Sequence, residues 1–256
     1  MKIFIPMAGK GTRLRPFTLT CPKPLINVLD KPIVEHLIDQ ITSKVKSNID
    51  EIVYILGDES YFNAEVVNSL NIISEKYNAK TKIYRQLEQL GTGHAIMCAE
   101  ESLSGPSIIA YADTMIQGNI EIDTQVDGIM WVKKVDNPSA YGVVNLDNEN
   151  KITELIEKPA EFISDLAVVG IYYFKEAANL KGYLRKHLSE KLSPGKEYLL
   201  NYGIEKMIKN GDSFVPKEID IWMDCGTPEL LLNSTKIIMD TYHDNVDENR
   251  IFDKEV

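Results

Sequence analysis

A glycine-rich, basic loop follows the first apolar run of the chain and constrains the fold more than any other stretch. Residues 3–5 (Ile-Phe-Ile) are apolar and rich in β-branched side chains, which is typical of a buried strand. The loop then contains Gly9 and Gly11, which let a backbone turn tightly and approach a ligand closely. Successive backbone N–H groups in such a loop suit an anion, and Arg13 and Lys23 add positive charge. The stretch therefore predicts a polyphosphate site directly after a buried strand.

Two common phosphate-binding loops do not fit this stretch. The dinucleotide fingerprint requires a third glycine three residues after the second, and this chain has Leu14 there. A P-loop requires four residues between its first glycine and a Gly-Lys pair, and Gly9-Lys10 does not meet that spacing. The loop must therefore belong to another class of phosphate site.

The stretch resembles the signature of the sugar-phosphate nucleotidylyltransferases, Gly-x-Gly-Thr-Arg-Leu-x-Pro followed by Thr and then by Pro-Lys-Pro. The matching residues here are Gly9, Gly11, Thr12, Arg13, Leu14, Pro16, Thr18 and Pro22-Lys23-Pro24. The resemblance implies that the nucleotide is bound by Ala8, Gly9, Gly11, Thr12 and Arg13, and that Arg13 and Lys23 are catalytic. Among members of the family, the chain is most similar to glucose-1-phosphate thymidylyltransferases of a short type.

A second motif consists of Gln86 and, five residues later, Gly91-Thr92-Gly93. By itself, Gly91-Thr92 is typical of a turn and a helix N-cap. The resemblance implies that Gln86, Gly91 and Thr92 instead bind the nucleotide base, which amide and backbone groups can read through complementary donors and acceptors. His94 follows this motif, a position that favours a place near the base.

Two aspartates in separate motifs are candidate ligands for Mg²⁺. Asp113 follows a buried apolar run and would by itself be interpreted as a turn cap, whereas Asp224 lies in Trp-Met-Asp-Cys-Gly-Thr. The family has Gly-Asp and Trp-x-Asp-x-Gly-Thr at these places, so the resemblance implies that both aspartates bind Mg²⁺ and are catalytic; Ala112 replaces the usual glycine. Mg²⁺ prefers oxygen ligands, typically one or two carboxylates plus substrate phosphates. Cys225, a poor Mg²⁺ ligand, receives no role.

A third group of residues resembles the family's sugar-phosphate clamp. The motif Glu157-Lys158-Pro159 would in isolation be a solvated strand end. The resemblance implies that Lys158 holds the acceptor phosphate while Glu157 and Gly142 contact sugar hydroxyls. The full set of acceptor-binding candidates is Tyr141, Gly142, Glu157, Lys158, Gly170, Glu197 and Asn201. Tyr202 replaces the usual Asp, which calls into question the contacts expected from its helix.

The pattern of apolar residues predicts an α/β fold. Strands at 3–5, 51–56, 80–84 and 107–112 alternate with helices at 33–45, 61–77 and 92–102, which predicts a mostly parallel sheet with ligands at the carboxyl ends of its strands. Gly9, Gln86 and Asp113 each follow a strand and should gather there. Later strands at 128–134, 141–146, 152–157, 166–174 and 213–216, with helices at 177–188, 199–208 and 228–242, predict an inserted, mostly antiparallel lobe covering that edge.

We therefore predict a single Rossmann-like (GT-A-like) nucleotidyltransferase domain at residues 1–240. Residues 1–115 would mainly bind nucleotide, residues 116–220 would mainly bind the acceptor, and residues 241–256 would form an acidic tail. Nothing after the last helix is expected to build a second domain.

The charge and composition of the chain limit the kinds of partner that it is expected to bind. The net charge of −10 disfavours nucleic acid, and no apolar run approaches the roughly 18 residues of a membrane span. The N-terminus does not have the pattern of a signal peptide, and three scattered cysteines form neither a disulfide framework nor a metal motif. These features favour a cytoplasmic protein, and they leave open whether it forms a homo-oligomer.

The sequence thus predicts an Mg²⁺-dependent enzyme that joins a nucleoside triphosphate, dTTP or UTP, to a sugar 1-phosphate such as glucose 1-phosphate. Two alternatives stay open: a CTP-dependent cytidylyltransferase acting on choline phosphate, and a catalytically silent nucleotide-sensing protein on the same fold.

Overall fold

A computed structural model describes residues 1–45, 47–118 and 120–245, with side chains to residue 241. In chain order the strands are β1 (Lys2–Pro6), β2 (Asn27–Val28), β3 (Lys31–Pro32), β4 (Glu51–Leu56), β5 (Lys80–Arg85), β6 (Ser107–Ala110), β7 (Thr114–Gln117), β8 (Gly128–Lys134), β9 (Gly142–Leu146), β10 (Ile152–Glu157), β11 (Leu166–Phe174), β12 (Phe214–Glu218) and β13 (Ile221–Asp224). The helices are α1 (Ile33–Lys44), α2 (Ala64–Glu75), α3 (Thr92–Cys98), α4 (Ala178–Ser189), α5 (Leu200–Lys209) and α6 (Pro228–Asn245).

The first half of the chain forms the predicted parallel sheet, in the order β6-β1-β4-β5. Ile3 of β1 lies beside Ile52 of β4 on one side and Ile108 of β6 on the other, and all three side chains are fully buried. Strands that are apolar at nearly every position suit this place, because helices cover both faces of a parallel sheet. The shared direction brings the carboxyl ends of four strands to one edge.

The strands of the second half, most of them antiparallel as predicted, continue this sheet. β11 pairs antiparallel with β6, and β9, β10, β8 and β12 extend the sheet beyond it. The long apolar run of β11 explains the junction, because eight of its nine residues are buried and it has neighbours on both edges.

A short two-stranded ribbon, β7 paired with β13, has no counterpart in the sequence prediction. It pairs Thr114 with Asp224 across more than a hundred residues of chain. Each strand has only four residues, too few for a periodicity to be read, and each joins the end of a predicted metal motif.

Several helices begin or end at residues other than those predicted, and local capping explains the difference at the start of α2. α2 begins at Ala64 rather than near residue 61, because the Asn63 side chain accepts hydrogen bonds from the N–H groups of Glu65 and Val66. α3 ends at Cys98, four residues early, and α6 continues to Asn245. Residues 246–256 of the predicted tail lie outside the described residues. No helix in the described part of the chain is long and apolar enough to cross a membrane.

Packing between β8 and β12 yields a stability prediction. A Cβ added to Gly128 would lie 2.1 Å from the Phe214 ring, whereas a Cβ added to Gly182 in α4 meets nothing within 4 Å. We expect Gly128→Ala to lower the free energy of unfolding by about 1–3 kcal/mol through overpacking. The matched variant Gly182→Ala should raise it by about 0.5–1 kcal/mol, because alanine favours an exposed helix position over glycine. Urea denaturation measures both, and equal stabilities would contradict the packing described.

Candidate active site

The carboxyl ends of the parallel strands surround a cavity of about 650 Å³. Gly9 follows β1, Gln86 follows β5 and Asp113 follows β6, and all three line the cavity as the sequence predicts. The other predicted site residues that line it are Ala8, Gly11, Thr12, Arg13, Lys23, Gly91, Thr92 and Glu197. The edge of the sheet thus gathers glycines, cations and two carboxylates, Asp113 and Glu197, from five separate stretches of chain.

The two loop glycines have different structural reasons. Gly11 has φ +59°, and an added Cβ would lie 3.0 Å from Thr18 Cγ2 and 3.1 Å from Lys23 Cβ. Thr18 Oγ1 donates a hydrogen bond of 2.8 Å to the Gly11 carbonyl and holds this conformation. An added Cβ on Gly9 would meet nothing within 4 Å. Gly11 is therefore required by the turn itself, while Gly9 leaves the backbone open to the cavity.

Lys23 is the buried cation of the site. Its ammonium lies 3.2 Å from Asp113 Oδ2, and its side chain is only 9% exposed while that of Asp113 is 44% exposed. Burying a lysine is costly unless it is paired. The pair therefore keeps the Lys23 ammonium at the wall of the cavity. The Asp113 carboxylate next to it remains accessible to solvent or to a ligand.

The ribbon β7–β13 brings Asp224 beside Asp113. Cys225, the residue after β13, donates its N–H to the Asp113 carbonyl at 3.0 Å, and Gly226 N–H donates to Asp224 Oδ1 at 2.7 Å. Burial, followed by the neighbouring Asp113 carboxylate, raises the pKa of Asp224, while Lys23 and Arg13 partly offset the effect. Burial also raises the pKa of the Cys225 thiol to about 12, which keeps the free thiol protonated near neutral pH.

The donor set at this point fits a magnesium ion better than a closed structural metal site. Asp113 and Asp224 supply two carboxylates, and no group of three or more His, Cys, Asp or Glu side chains able to hold a metal occurs among the described residues. A structural zinc site requires four protein ligands. Mg²⁺ is commonly bound by one or two carboxylates together with substrate phosphates. Burial first, and the Asp113 carboxylate second, raise the pKa of Asp224 and disfavour its ionised form, which a cation bound between the two carboxylates would stabilise.

Gln86 lies at the opposite side of the cavity from the aspartates along the sheet edge. It is 5% exposed, and its Nε2 lies 3.0 Å from the Gly91 carbonyl and 3.1 Å from His94 Nδ1. Gln89, which sequence reasoning missed, donates from Nε2 to the Ala8 carbonyl at 3.1 Å and also lines the cavity. An isolated, exposed glutamine carries no sequence signal that would have identified it.

The Gly91-Thr92-Gly93 motif joins the side of the cavity near Gln86 to the start of helix α5. An added Cβ on Gly91 would lie 2.6 Å from the Tyr198 carbonyl, and one on Gly93 would lie 2.9 Å from the Leu199 carbonyl. Thr92 does not cap its own helix; its Oγ1 accepts a hydrogen bond of 3.0 Å from Leu200 N–H at the start of α5. The interpretation as a simple turn and N-cap is therefore insufficient, because the glycines permit contact between two backbones.

The acceptor candidates form a second cluster beside the cavity. Asn201 Nδ2 donates to Glu157 Oε2 at 2.8 Å, and Tyr172 donates its hydroxyl to Asn201 Oδ1 at 3.0 Å. Gly142 leaves room for this contact, since an added Cβ would lie 3.1 Å from Glu157 Oε2. The Tyr172 ring packs edge-on against the cavity-lining Tyr111 at 5.8 Å, so the cluster contacts the cavity wall.

Gly170 and Tyr141 have mainly packing contacts. Gly170 has φ +84°, and an added Cβ would lie 2.6 Å from Tyr111 Cδ2, so the glycine lets the Tyr111 ring lie against β11. The Tyr141 ring contacts Trp222 edge-on, with centroids 4.9 Å apart.

Tyr202, the departure from the family pattern, stacks on His187 at 3.8 Å and donates to Glu190 Oε1. It thus packs on α4 and leaves Asn201 to contact Glu157.

Lys158 has an unusual backbone conformation. It has φ +44°, which is rare for a residue with a Cβ, and its N–H donates to the Tyr141 carbonyl at 3.0 Å. Its side chain is exposed and is absent from the described lining of the cavity. Strained backbone of this kind is concentrated at ligand-binding sites. Arg15, another basic residue of the loop after β1, lines a neighbouring cavity of about 430 Å³ together with Tyr61 and Asp58.

The raised pKa of Asp224 predicts a pH-dependent gain in stability when its charge is removed. Because folding raises this pKa, the folded state loses stability as the pH rises above the ordinary aspartate range near about pH 4. In EDTA, we expect Asp224→Asn to melt at a higher temperature than wild type at neutral pH, with a difference that disappears towards about pH 4. Thermal melting monitored by circular dichroism measures this effect.

The exposed Asp136 provides the matched control, and Asp136→Asn should melt like wild type at both pH values. A melting temperature of Asp224→Asn below that of wild type at neutral pH would show that Lys23 and Arg13 outweigh burial at this carboxylate.

Comparison with known proteins places the chain in a family. The model of the nucleotidyl transferase family matches residues 4–241. Bifunctional protein GlmU of Methanococcus maripaludis is 33% identical over 89% of this chain and 52% of its own length. UTP–glucose-1-phosphate uridylyltransferase AglF of Haloferax volcanii is 30% identical over 90% of this chain and 93% of its own length. The chain thus spans about half the length of GlmU and nearly all of AglF.

Solved structures share the fold. A Bacillus anthracis structure assigned as a glucose-1-phosphate thymidylyltransferase has a TM-score of 0.78 and 24% identity, over 94% of this chain and 96% of its own. A UDP-glucose pyrophosphorylase complexed with UDP-glucose has a TM-score of 0.74 and 22% identity, over 94% and 98%. From the family match and the relatives at 30% identity or more, the chain belongs to the nucleotidyl transferase family.

Proposed function

We propose that this protein is a sugar-1-phosphate nucleotidylyltransferase, which joins a nucleoside triphosphate to a sugar 1-phosphate and releases pyrophosphate. The observation that carries the proposal is the buried Lys23–Asp113 pair facing the same cavity as the open Gly9 backbone. A cation held beside a glycine-rich loop is an arrangement that can bind the negative charges of a polyphosphate. Asp224 lies beside the pair, and together with Asp113 it would supply two carboxylates to a cation that neutralises phosphate charge.

The chemistry requires no enzyme nucleophile. An oxygen of the acceptor phosphate attacks the α-phosphorus of the triphosphate in line, forming one P–O bond as the bond to pyrophosphate breaks. Catalysis then depends on positioning and on neutralising charge, as in other phosphoryl transfers. Backbone N–H groups of the glycine loop and the Arg13 guanidinium would hold the triphosphate, and Lys23 would contact the α-phosphate region.

We further propose that Asp113 and Asp224 hold Mg²⁺ when substrate is present. When bound, the ion would neutralise charge on the phosphate oxygens and template their geometry. Lys23, already paired with Asp113, would share that carboxylate and supply a positive charge on the same side.

The acceptor is assigned to the cluster beside the cavity. Lys158 would bind the phosphate of the acceptor, and Glu157 and Asn201, already oriented by a hydrogen bond, would contact sugar hydroxyls. Glucose 1-phosphate is our preferred acceptor because the name of the 30% identical AglF specifies it. UTP is named in the same relative, and the resemblance to thymidylyltransferases adds dTTP, so we propose a uracil or thymine nucleotide as the donor.

The proposal predicts which substrates react. With glucose 1-phosphate and Mg²⁺, we expect dTTP and UTP both to release pyrophosphate, since one methyl group gives at most about 1–3 kcal/mol of discrimination. CTP and GTP should react more slowly. EDTA should abolish the activity, and Asp224→Asn should lower kcat by about 100-fold or more. A coupled pyrophosphate assay with the four nucleotides measures these rates.

Each failure of this assay has a distinct meaning. Preferential use of GTP would contradict the assignment of the base, and turnover that survives EDTA would contradict the metal. Turnover with CTP and choline phosphate, but not with sugar phosphates, would favour a cytidylyltransferase. No turnover with any pair would favour a nucleotide-sensing protein.

A second prediction separates donor from acceptor. A hydrogen bond to a charged group contributes about 1.5–3 kcal/mol, so Lys158→Ala should raise the KM for the acceptor by about ten- to hundredfold. The KM for the nucleotide should change little. Lys23→Ala should instead lower kcat and weaken nucleotide binding.

Steady-state kinetics, with the nucleotide and the acceptor varied in turn, gives kcat and both KM values for each variant. Lys134→Ala, which removes an exposed lysine from β8, is the matched control and should leave both KM values unchanged. An increase in the nucleotide KM alone for Lys158→Ala would reverse the assignment of the two sides.

A further inference from the structure

The Gln86 side chain has both of its amide hydrogens engaged by protein atoms. Nε2 lies 3.0 Å from the Gly91 carbonyl oxygen and 3.1 Å from His94 Nδ1. A carbonyl oxygen can only accept a hydrogen bond, so the group that faces it must be the NH₂ of the amide. The chemistry of Gly91 therefore fixes which end of the Gln86 amide faces the Gly91 carbonyl.

His94 must accept the second amide hydrogen. Its Nδ1 then carries no proton, and the proton lies on Nε2, which is 4.0 Å from the weak acceptor Cys98 Sγ. The ring is held in place by its helix. α3 is anchored through a 2.7 Å hydrogen bond from Gly93 N–H to the Tyr198 carbonyl and through the contact of Thr92 with Leu200. His94, the partner of the Gln86 amide, is therefore held in a fixed position relative to the edge of the sheet.

The remaining atom of the amide, Oε1, is left for a ligand. No described residue donates a hydrogen bond to it, and Gln86 lines the cavity although it is 5% exposed. The side chain consequently offers a bound base an acceptor and no donor. Uracil and thymine carry an N–H at ring nitrogen 3 and can donate to such an atom, whereas cytosine in the same pose presents a lone pair.

We propose that His94 is a positioning residue which, together with the Gly91 carbonyl, holds Gln86 Oε1 towards the cavity and so selects uracil and thymine nucleotides over cytosine nucleotides. This inference rests on the proposed function, since it assumes that the cavity takes a nucleoside triphosphate. A site with fixed polar groups discriminates strongly, because the wrong partner leaves a buried polar atom unpaired. The selection therefore depends on an orientation that His94 maintains, without contact between His94 and the base.

Two variants of His94 test the proposal. His94→Phe keeps a ring but removes the acceptor, so the amide loses one of its two anchors. His94→Asn is the matched control, because its side-chain oxygen can take the place of Nδ1 and accept the same hydrogen bond. Titration calorimetry with UTP, dTTP and CTP in the presence of Mg²⁺ gives the affinities without any turnover.

We expect wild type to bind UTP and dTTP at least about tenfold more tightly than CTP. The ratio should fall by about three- to tenfold in His94→Phe, the effect of one hydrogen bond, and should be retained in His94→Asn. Equal affinity of wild type for UTP and CTP would overturn the proposal. An unchanged ratio in folded His94→Phe would also overturn it.

A second measurement needs no variant. Nitrogen-15 NMR of the histidine rings in wild type at about pH 8, above the ordinary histidine pKa of about 6.5, should show His94 protonated at Nε2 and not at Nδ1. A proton on Nδ1 would overturn the proposal even if His94→Phe failed to fold. Absence of pyrophosphate release with a retained UTP preference would count against the proposed function alone.

Discussion

The ion pair between Lys23 and Asp113 is the interaction on which the arrangement of the cavity depends. It joins the basic loop after β1 to the end of β6, and it is possible only because the two parallel strands end at the same edge. A buried lysine without a partner would be costly. The pair therefore fixes the loop relative to the sheet and at the same time leaves an ammonium group facing the cavity.

The two carboxylates beside that pair illustrate a conflict between stability and function. Asp224 is partly buried next to Asp113, and both effects raise its pKa, so its ionised form destabilises the fold. Such an arrangement persists when a bound cation or a substrate requires it. The β7–β13 ribbon holds the two groups together, which makes this short element more important for the proposed chemistry than its length indicates.

Helix α5 and the segment before it connect the two halves of the site. Tyr198 and Leu200 contact the glycine motif beside Gln86, while Asn201, one residue further, contacts Glu157 in the acceptor cluster. The same turn of chain thus touches the region assigned to the base and the region assigned to the sugar.

The sequence by itself determined the first parallel strands, the cavity edge and most of its lining, because buried strands and glycine motifs are local signals. It predicted that Gly9, Gln86 and Asp113 would meet, since all three follow strands that run in one direction. Only the tertiary structure decided what joins the Asp113 and Asp224 motifs, how the segment before α5 reaches Gly91, and which end of the Gln86 amide faces the Gly91 carbonyl. Those contacts connect residues up to 112 positions apart, from Asp113 to Cys225, and no local pattern encodes a pairing between two four-residue strands so distant in the chain.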